Sequence, residues 1–227
     1  MNKDQVKFRE VVSSTLKEIK DGVRYARCPD QMVAKISSKG GVYHFTSPKN
    51  PNEDSEGAFT NGRINIPPSD SDKKHITTSH RIIIILESPH VDEFNGEGDA
   101  NGPAYGKTGT NIKNLLLMFR GLTGRLKKGN TYSLILMNAI QYQCSMGWSA
   151  GAFTKKIFNQ CWKDFGEKDF KVRVRNLNIS ETDILINACT NAGFSQVERI
   201  LGEDIKFRLH HPCLWHKSIK TRELKDK

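Results

Sequence analysis

"RIIIILESPH", residues 81 to 90, is apolar for five successive positions and then turns polar. A strand with one face in water alternates apolar and polar residues, whereas an unbroken apolar run is typical of a strand covered on both faces. The stretch therefore predicts a central strand of a parallel sheet. Four residues follow its carboxyl end: Glu87, Ser88, Pro89 and His90.

Three similar apolar runs occur further along the chain, separated by stretches with helical spacing. The runs are "YSLILM" (132–137), "DILINA" (183–188) and "IKFRL" (205–209), and the intervening stretches include "TNIKNLLLMF" and "AFTKKIFNQCWKDF". Strands that alternate with helices indicate parallel pairing, because each crossover needs a helix-length connection. We predict an α/β fold with a four-stranded parallel sheet flanked by helices.

Residues 1–80 have a different pattern. Apolar residues at helical spacing in residues 5–20 predict an amphipathic helix, and residues 37–80 are rich in Ser, Gly, Pro, Asn and Asp with short extended pieces such as "GVYHF" and "GRINI". We predict that residues 1–80 form a helix and an irregular, partly extended elaboration. Residues 81–227 form the α/β core, and the two parts make one compact unit.

The chain is strongly basic, with a formal net charge of +10 and a pI near 9.4. Lysine and arginine that neutralise phosphates release condensed counterions, so this charge favours a polyanionic partner. Nucleic acid, and DNA in particular, is the partner that we predict.

Other bulk features bear on location. The first residues, "MNKDQVKFREVV", contain no apolar signal core, and an apolar run such as residues 82–86 is too short to span a bilayer. Five cysteines without regular spacing argue against a disulfide framework. We predict a cytoplasmic, monomeric protein with reduced thiols and no membrane partner.

Polar residues follow each of the four predicted strands. In open parallel sheets, ligands bind outside the carboxyl ends of the strands, so these residues should converge on one crevice. The alternative is that they are ordinary loop residues, because loops after strands are polar in most proteins. Besides residues 87–90, the set comprises Asn138, Asn187, Cys189, Thr190, His210 and His211.

The segment "HHPCLWHK", residues 210 to 217, contains residue types that bind zinc. Structural zinc sites pair two spaced couples of ligands, and no C-x2-C couple occurs in this chain. We predict no metal site and no cofactor.

The segment "NGPAYGKTGTN", residues 101 to 111, is similar to a phosphate-binding loop. Asn101 stands where the first glycine belongs, and about twenty residues separate Leu86 from Lys107, whereas such a loop follows its strand closely. Nucleotide hydrolysis is therefore a minor alternative.

Five fragments, taken in order, resemble the uracil-DNA glycosylase superfamily: "ILESPHVDE", "GPAYGKTG", "LILMNAIQ", "ILINACT" and "HHPCLWHK". The first motif of that superfamily reads like G-E-A-P-G or G-Q-D-P-Y, its middle strand ends in L-x-N, and its last motif begins H-P-[SA]. The match covers about residues 81 to 217. It implies a parallel sheet between helices and an enzyme that releases a base from DNA.

The resemblance implies roles for three residues. Tyr105 falls on the aromatic that stacks on the base, and Asn138 falls on the base-reading asparagine, whose planar amide offers both a donor and an acceptor. His211 falls on the histidine of the final loop, where it can donate a hydrogen bond to the charge that develops on the departing base.

Further roles are assigned to the first motif and to the DNA contact. Glu87 is positioned to orient a water molecule or to stabilise a cationic sugar, as carboxylates do in sugar-bond hydrolysis. Leu214 and Trp215 are candidates for an apolar wedge that fills the space left by the flipped base. Lys107 and Lys217 are candidates for phosphate contacts.

The sequence departs from the superfamily at the expected base pocket, whose wall comprises Ser88, Pro89 and His90. Leu86 stands where the family has glycine, Ser88 where some branches keep a water-activating aspartate, and His90 where others have tyrosine or glycine beside the pyrimidine C5. The iron-sulfur branch needs an early cysteine pair, which is represented here by Cys28 alone, so we predict no cluster.

We therefore expect a monofunctional DNA glycosylase that acts on a modified or damaged pyrimidine, such as a hypermodified cytosine in phage DNA attacked in antiviral defence. A uracil-DNA glycosylase of base-excision repair is the alternative enzyme. A non-catalytic nucleic-acid-binding module on the same fold is the alternative from another class.

Overall fold

The computed structural model describes residues 1–16, 23–50, 53, 59, 62–66, 80–144, 153–190 and 192–218. The strands in these residues are β1 Gln31–Lys39, β2 Val42–Thr46, β3 Ile64–Asn65, β4 His80–Leu86, β5 Thr131–Asn138, β6 Ile184–Asn187 and β7 Ile205–Arg208. The helices are α1 Lys3–Thr15, α2 Lys107–Leu115, α3 Arg120–Arg125, α4 Phe153–Cys161, α5 Glu167–Leu177, α6 Phe194–Leu201 and α7 Trp215–Ser218. A π-helical turn, Trp162–Gly166, joins α4 to α5.

The described strands form one mixed sheet of seven strands in the order β2-β1-β5-β4-β6-β7, and β3 pairs with β1. The α/β class predicted from the sequence is confirmed. The four predicted strands, β4 to β7, are adjacent and parallel. They are only part of the sheet, however, because β1 extends it by pairing antiparallel with β5.

The central strand, β4, has helices on both of its faces. Ile83 and Ile85 pack in the cluster that includes residues of α1, α4, α5 and α6. Ile82, Ile84 and Leu86 pack in the cluster that includes residues of α2, α3 and α7. This double coverage is the physical reason for the unbroken apolar run in the sequence.

The strand order reverses at β4. The chain passes from β4 to β5 on one side and then returns across the sheet to β6 on the other side. The register places Leu86 beside Asn138 and Ile85 beside Asn187, and Asn187 lies beside Arg208. The carboxyl ends of all four parallel strands therefore meet at one edge, where open α/β sheets bind ligands.

The described parts of residues 1–80 share the sheet and the core with residues further along the chain. β1 pairs with β5, and β1 also pairs with β2 and β3. Phe8, Val11 and Val12 of α1 are buried in the same cluster as residues of α4. The predicted end of the first helix near residue 20, residues 67–79 and the residues after 218 lie outside the described residues.

No helix in the described parts of the chain is both long enough and apolar enough to cross a membrane.

A buried ion network lies directly behind the carboxyl end of β5. The Arg173 guanidinium, on α5, donates to both carboxylate oxygens of Asp30 at 3.0 and 2.9 Å and to Asp169 at 2.7 Å. Its remaining nitrogen donates to the carbonyl of Ala139 at 2.9 Å. Ala139 follows Asn138 immediately, so Arg173 fixes the backbone from which the Asn138 side chain extends.

We predict that Arg173→Met destabilises the protein by about 3 to 5 kcal/mol, because removing one partner leaves the Asp30 carboxylate buried without its cation. Arg175→Met, on an exposed position of the same helix, is the matched control and should change stability by less than about 0.5 kcal/mol. Urea unfolding followed by circular dichroism measures both. Equal midpoints for the two variants would contradict a structural role for the network.

Candidate functional site

Asn138, the last residue of β5, presents an incompletely satisfied carboxamide at the sheet edge. Its side chain is 1% exposed. Nδ2 donates to Oε2 of Glu93 at 3.4 Å and to Sγ of Cys28 at 3.9 Å. Oδ1 is buried and has no hydrogen-bond partner among the described residues. A buried carbonyl oxygen without a donor costs about 1 to 3 kcal/mol, so Oδ1 needs a hydrogen-bond donor that the described residues do not supply.

Glu93 is the main site residue that sequence reasoning missed. It ends the short 3-10 turn Val91–Glu93 after β4 and is 4% exposed. Burial raises the pKa of Glu93 to about 7, against the opposing effect of hydrogen bonds from Ala104 and Asn138 and of the Arg63 charge. Glu93 is the last residue of the fragment "ILESPHVDE", but the groups that surround it come from other parts of the chain: Cys28, Arg63, Ala104 and Asn138.

Arg63, just before β3, is the second residue that was missed. Its guanidinium donates to Gln31 Oε1 and to the carbonyl of Pro103, each at 2.9 Å. Its central carbon lies 5.3 Å from the centroid of the Tyr105 ring. Tyr105, the predicted stacking aromatic, therefore has a cation over one of its faces.

A tight turn positions Tyr105. Gly102 has a φ of 126°, and a Cβ at Gly102 would collide with the Gln31 side chain. Glycine at position 102 is therefore required by backbone geometry and by close packing against Gln31 of β1. Lys107 is the exposed first residue of α2 and lies beyond this turn.

Glu87, directly after β4, is held by the loop between β6 and α6. Its Oε2 accepts hydrogen bonds from the Thr190 hydroxyl and, at 3.1 Å, from the backbone N–H of Gly193. A Cβ at Gly193 would lie 3.2 Å from Cγ of Glu87 and 3.0 Å from Cζ of Phe158, so glycine permits this close approach. Thr190, predicted as a strand-end residue, thus joins the site through Glu87.

The three residues after Glu87 line the start of the loop. Ser88 is buried, and its Oγ has no hydrogen-bond partner among the described residues. Pro89 is buried beside it. His90 is half-buried, and its Nδ1 accepts from the backbone N–H of Asp92 at 3.3 Å, which caps the turn that leads to Glu93.

His211 lies in the loop after β7 as a neutral donor. Its Nδ1 accepts from the backbone N–H of Cys213 at 3.4 Å, which assigns the ring proton to Nε2. Burial, assisted by the nearby His90, lowers the pKa of His211 to about 4. Nδ2 of Asn111, on α2, donates to the carbonyl of Pro212 at 2.9 Å and ties this loop to the neighbouring helix.

Trp215 does not form the predicted apolar wedge. It is 0% exposed, its ring packs edge-on against Phe119 with centroids 5.0 Å apart, and its Nε1 donates to the carbonyl of His210 at 2.6 Å. The ring therefore anchors the histidine loop to the core. Leu214, in contrast, is 42% exposed, and its role as a wedge stays a prediction.

Lys217 belongs to α7, but its side chain lies outside the described residues.

Metal binding has no support within the described residues, since no three His, Cys, Asp or Glu side chains group there as metal ligands would.

The structure thus brings together at one edge a carboxamide, a neutral imidazole and two carboxyl groups. Asn138 and Glu93 are in direct contact, and His90 and His211 are close enough to interact electrostatically. Glu87 is bonded to the adjacent β6–α6 loop. These side chains supply donors, acceptors and a titratable acid at the carboxyl ends of the parallel strands.

Comparison of the chain with models of protein families, with curated proteins and with solved structures gives no match. The likeness to uracil-DNA glycosylases therefore stays a prediction from the five sequence fragments.

We predict that the His211 imidazole titrates with a pKa near 4 in an NMR titration of the ring carbons, because burial disfavours its charged form. A histidine in an unfolded chain titrates near 6.5, so His211 should stay neutral as the pH falls through that value. His90→Asn should raise the pKa of His211 but leave it below about 6.5, because burial is the larger cause. A wild-type midpoint near the unfolded value would refute the assignment.

Proposed function

We propose that this protein is a DNA glycosylase that hydrolyses the N-glycosidic bond of a modified or damaged pyrimidine turned out of the duplex. The observation that carries the proposal is the position of Glu87, Asn138 and His211, which lie at or just after the carboxyl ends of the parallel strands β4, β5 and β7 of one sheet. The order of these residues in the sequence supports a uracil-DNA glycosylase-like core of four parallel strands, to which β1, β2 and β3 are added.

His211 supplies the donor for the departing base. Cleavage of the glycosidic bond places negative charge on the pyrimidine ring, and a donor aimed at that charge contributes about 3 to 4 kcal/mol to transition-state stabilisation. A neutral imidazole with its proton on Nε2 can donate this hydrogen bond. Unlike an imidazolium cation, it carries no charge whose desolvation would cost free energy. The burial that lowers the pKa of His211 therefore keeps this residue in the form that the reaction needs.

Glu87 supplies negative charge on the sugar side of the bond. Both of its described hydrogen bonds fall on Oε2, which leaves Oε1 to orient a water molecule or to face the cationic sugar. A carboxylate fixed in this way needs no reorganisation as the positive charge develops.

The base itself must leave the stack and enter the site, which costs a few kcal/mol. Stacking on the Tyr105 face opposite Arg63 returns about 1 to 3 kcal/mol. Leu214 is exposed next to the His211 loop and fills the gap in the duplex, while Lys107 and Lys217 contact phosphates. The net charge of +10 supports DNA as the partner of a monomer in the cytoplasm.

The wall of the site supports a substrate class. Ser88 carries an unsatisfied hydroxyl where a water-activating carboxylate would stand, and His90 turns back to cap its own loop. Such a wall leaves a polar contact for a substituent on the pyrimidine. Modified pyrimidines, including hypermodified cytosines of phage DNA, are therefore favoured over uracil.

We predict that the purified protein leaves abasic sites in duplexes that carry 5-hydroxymethylcytosine or its glucosylated form, and that it releases uracil more slowly. Alkaline cleavage of end-labelled oligonucleotides measures the sites. His211→Ala should slow release by roughly a hundredfold or more while DNA binding is retained, because its bond strengthens as charge develops.

His216→Ala is the matched control, since His216 is exposed in the same segment, and its rate should equal that of the wild type. If the protein releases uracil rapidly and does not release modified pyrimidines, its substrate is that of a uracil-DNA glycosylase of base-excision repair. If no abasic sites form in any DNA, the non-catalytic nucleic-acid-binding module remains as the candidate function.

We also predict that affinity for DNA falls linearly with salt on a logarithmic plot. Lys107→Gln should reduce the slope by roughly one unit, because each phosphate contact contributes about 0.9 to it. Lys39→Gln, an exposed position at the end of β1 that lies beside the amino-terminal end of β5, should leave the slope unchanged. Equal slopes for both variants would exclude Lys107 from the interface.

A further inference from the structure

The Asn138 carboxamide offers a ligand an acceptor and no donor. A carboxamide has two N–H groups, and in this structure Nδ2 directs them to Glu93 and Cys28. Oδ1 is buried, and the described residues provide no hydrogen bond to it. An asparagine that reads a uracil edge must donate to O4 as well as accept from N3–H, so the engagement of Nδ2 by the protein changes what this site can read.

We propose that Glu93 is a positioning residue that holds the Asn138 carboxamide with Oδ1 toward the ligand, so that the site selects a 4-amino pyrimidine over its 4-oxo counterpart. This inference rests on the proposed function and concerns the recognition of the base in the same site.

The Glu93 side chain is itself immobile. It is almost fully buried, it accepts a hydrogen bond from the Ala104 backbone, and the Cys28 thiol lies 3.7 Å from Oε2. A half-turn of the Asn138 amide would place Oδ1 against this carboxyl group. An ionised carboxylate has no proton to give to that oxygen, so the flipped amide is repelled and the observed orientation is retained.

The two classes of base differ at the atom that meets Asn138. A 4-amino group donates N–H to Oδ1 and directs positive charge toward the Glu93 carboxylate. A 4-oxo base can give its N3–H to Oδ1, but its O4 then meets an amide whose N–H groups are engaged by Glu93 and Cys28 and a carboxylate that repels it. Sites built to bond one group reject the analogue that lacks it, because buried polar atoms are then left without partners.

Protonation of Glu93 supplies an independent readout. Glu93 faces the Cys28 thiol, the Arg63 guanidinium and Asn138. Burial raises the pKa of the Cys28 thiol well above its usual value, and arginine stays charged, so Glu93 is the group among these that titrates between pH 6 and 8. A protonated Glu93 can donate to Oδ1 of a flipped amide, and the selectivity should therefore weaken as the pH falls.

The test compares two duplexes that share one 5-substituent and differ at position 4. Binding of 5-hydroxymethylcytosine and of 5-hydroxymethyluracil, each opposite an abasic analogue, is measured by fluorescence anisotropy on ice, with an unmodified duplex as the baseline. The wild type should bind the amino base at least about tenfold more tightly at pH 8, and the ratio should be smaller at pH 6.

Glu93→Leu should reduce the ratio at pH 8 to less than about threefold, because the amide is then free to turn. Glu97→Gln removes the same charge from an exposed position of the same loop and should keep the wild-type ratio. If Glu93→Leu does not fold, the ratio of the two affinities of the wild type decides alone whether the site selects the amino base.

Equal or tighter binding of the oxo base by the wild type, or an unchanged ratio in folded Glu93→Leu, would overturn the role of Glu93 while the proposed function stands. If neither modified base binds more tightly than the unmodified duplex, and no base is released from any DNA, the proposed function fails and this inference fails with it.

Discussion

The burial of β4 on both edges and both faces is the constraint on which the rest of the structure depends. β5 and β6 pair with it along its edges, and helices cover its two faces. A polar side chain within such a strand would be desolvated without a partner, so chemistry is confined to the positions that follow its carboxyl end. Because the strand order reverses at β4, the loops after the neighbouring strands meet at the same edge.

The site at that edge carries features that reduce stability. Oδ1 of Asn138 and Oγ of Ser88 are buried without hydrogen-bond partners among the described residues, and Glu93 is a buried acid with a pKa raised to about 7. Each feature costs free energy that a purely structural core would avoid. Departures from good packing and hydrogen bonding of this kind are concentrated where proteins bind ligands or perform chemistry.

The packing around the site stabilises the fold and allows these unsatisfied polar groups to persist. Behind the edge, Arg173 joins Asp30, Asp169 and the backbone of Ala139 in a buried network. In front, Trp215 locks the histidine loop onto the core. Asn138 and His211 are thus held by groups that take no part in the proposed reaction, and such preorganisation limits the loss of side-chain freedom when a ligand binds.

The sequence by itself determined the α/β class, the four parallel strands and the positions of Glu87, Asn138 and His211 at strand ends, because unbroken apolar runs and the residues that follow them are local properties. The tertiary structure alone decided the rest. β1 belongs to the sheet because it fits beside β5, and Trp215 is an anchor because Phe119 and the core enclose it. Glu93 joins the site through burial by segments far away in the sequence, and burial, hydrogen-bond partners and pKa are properties of the assembled fold that no single segment encodes.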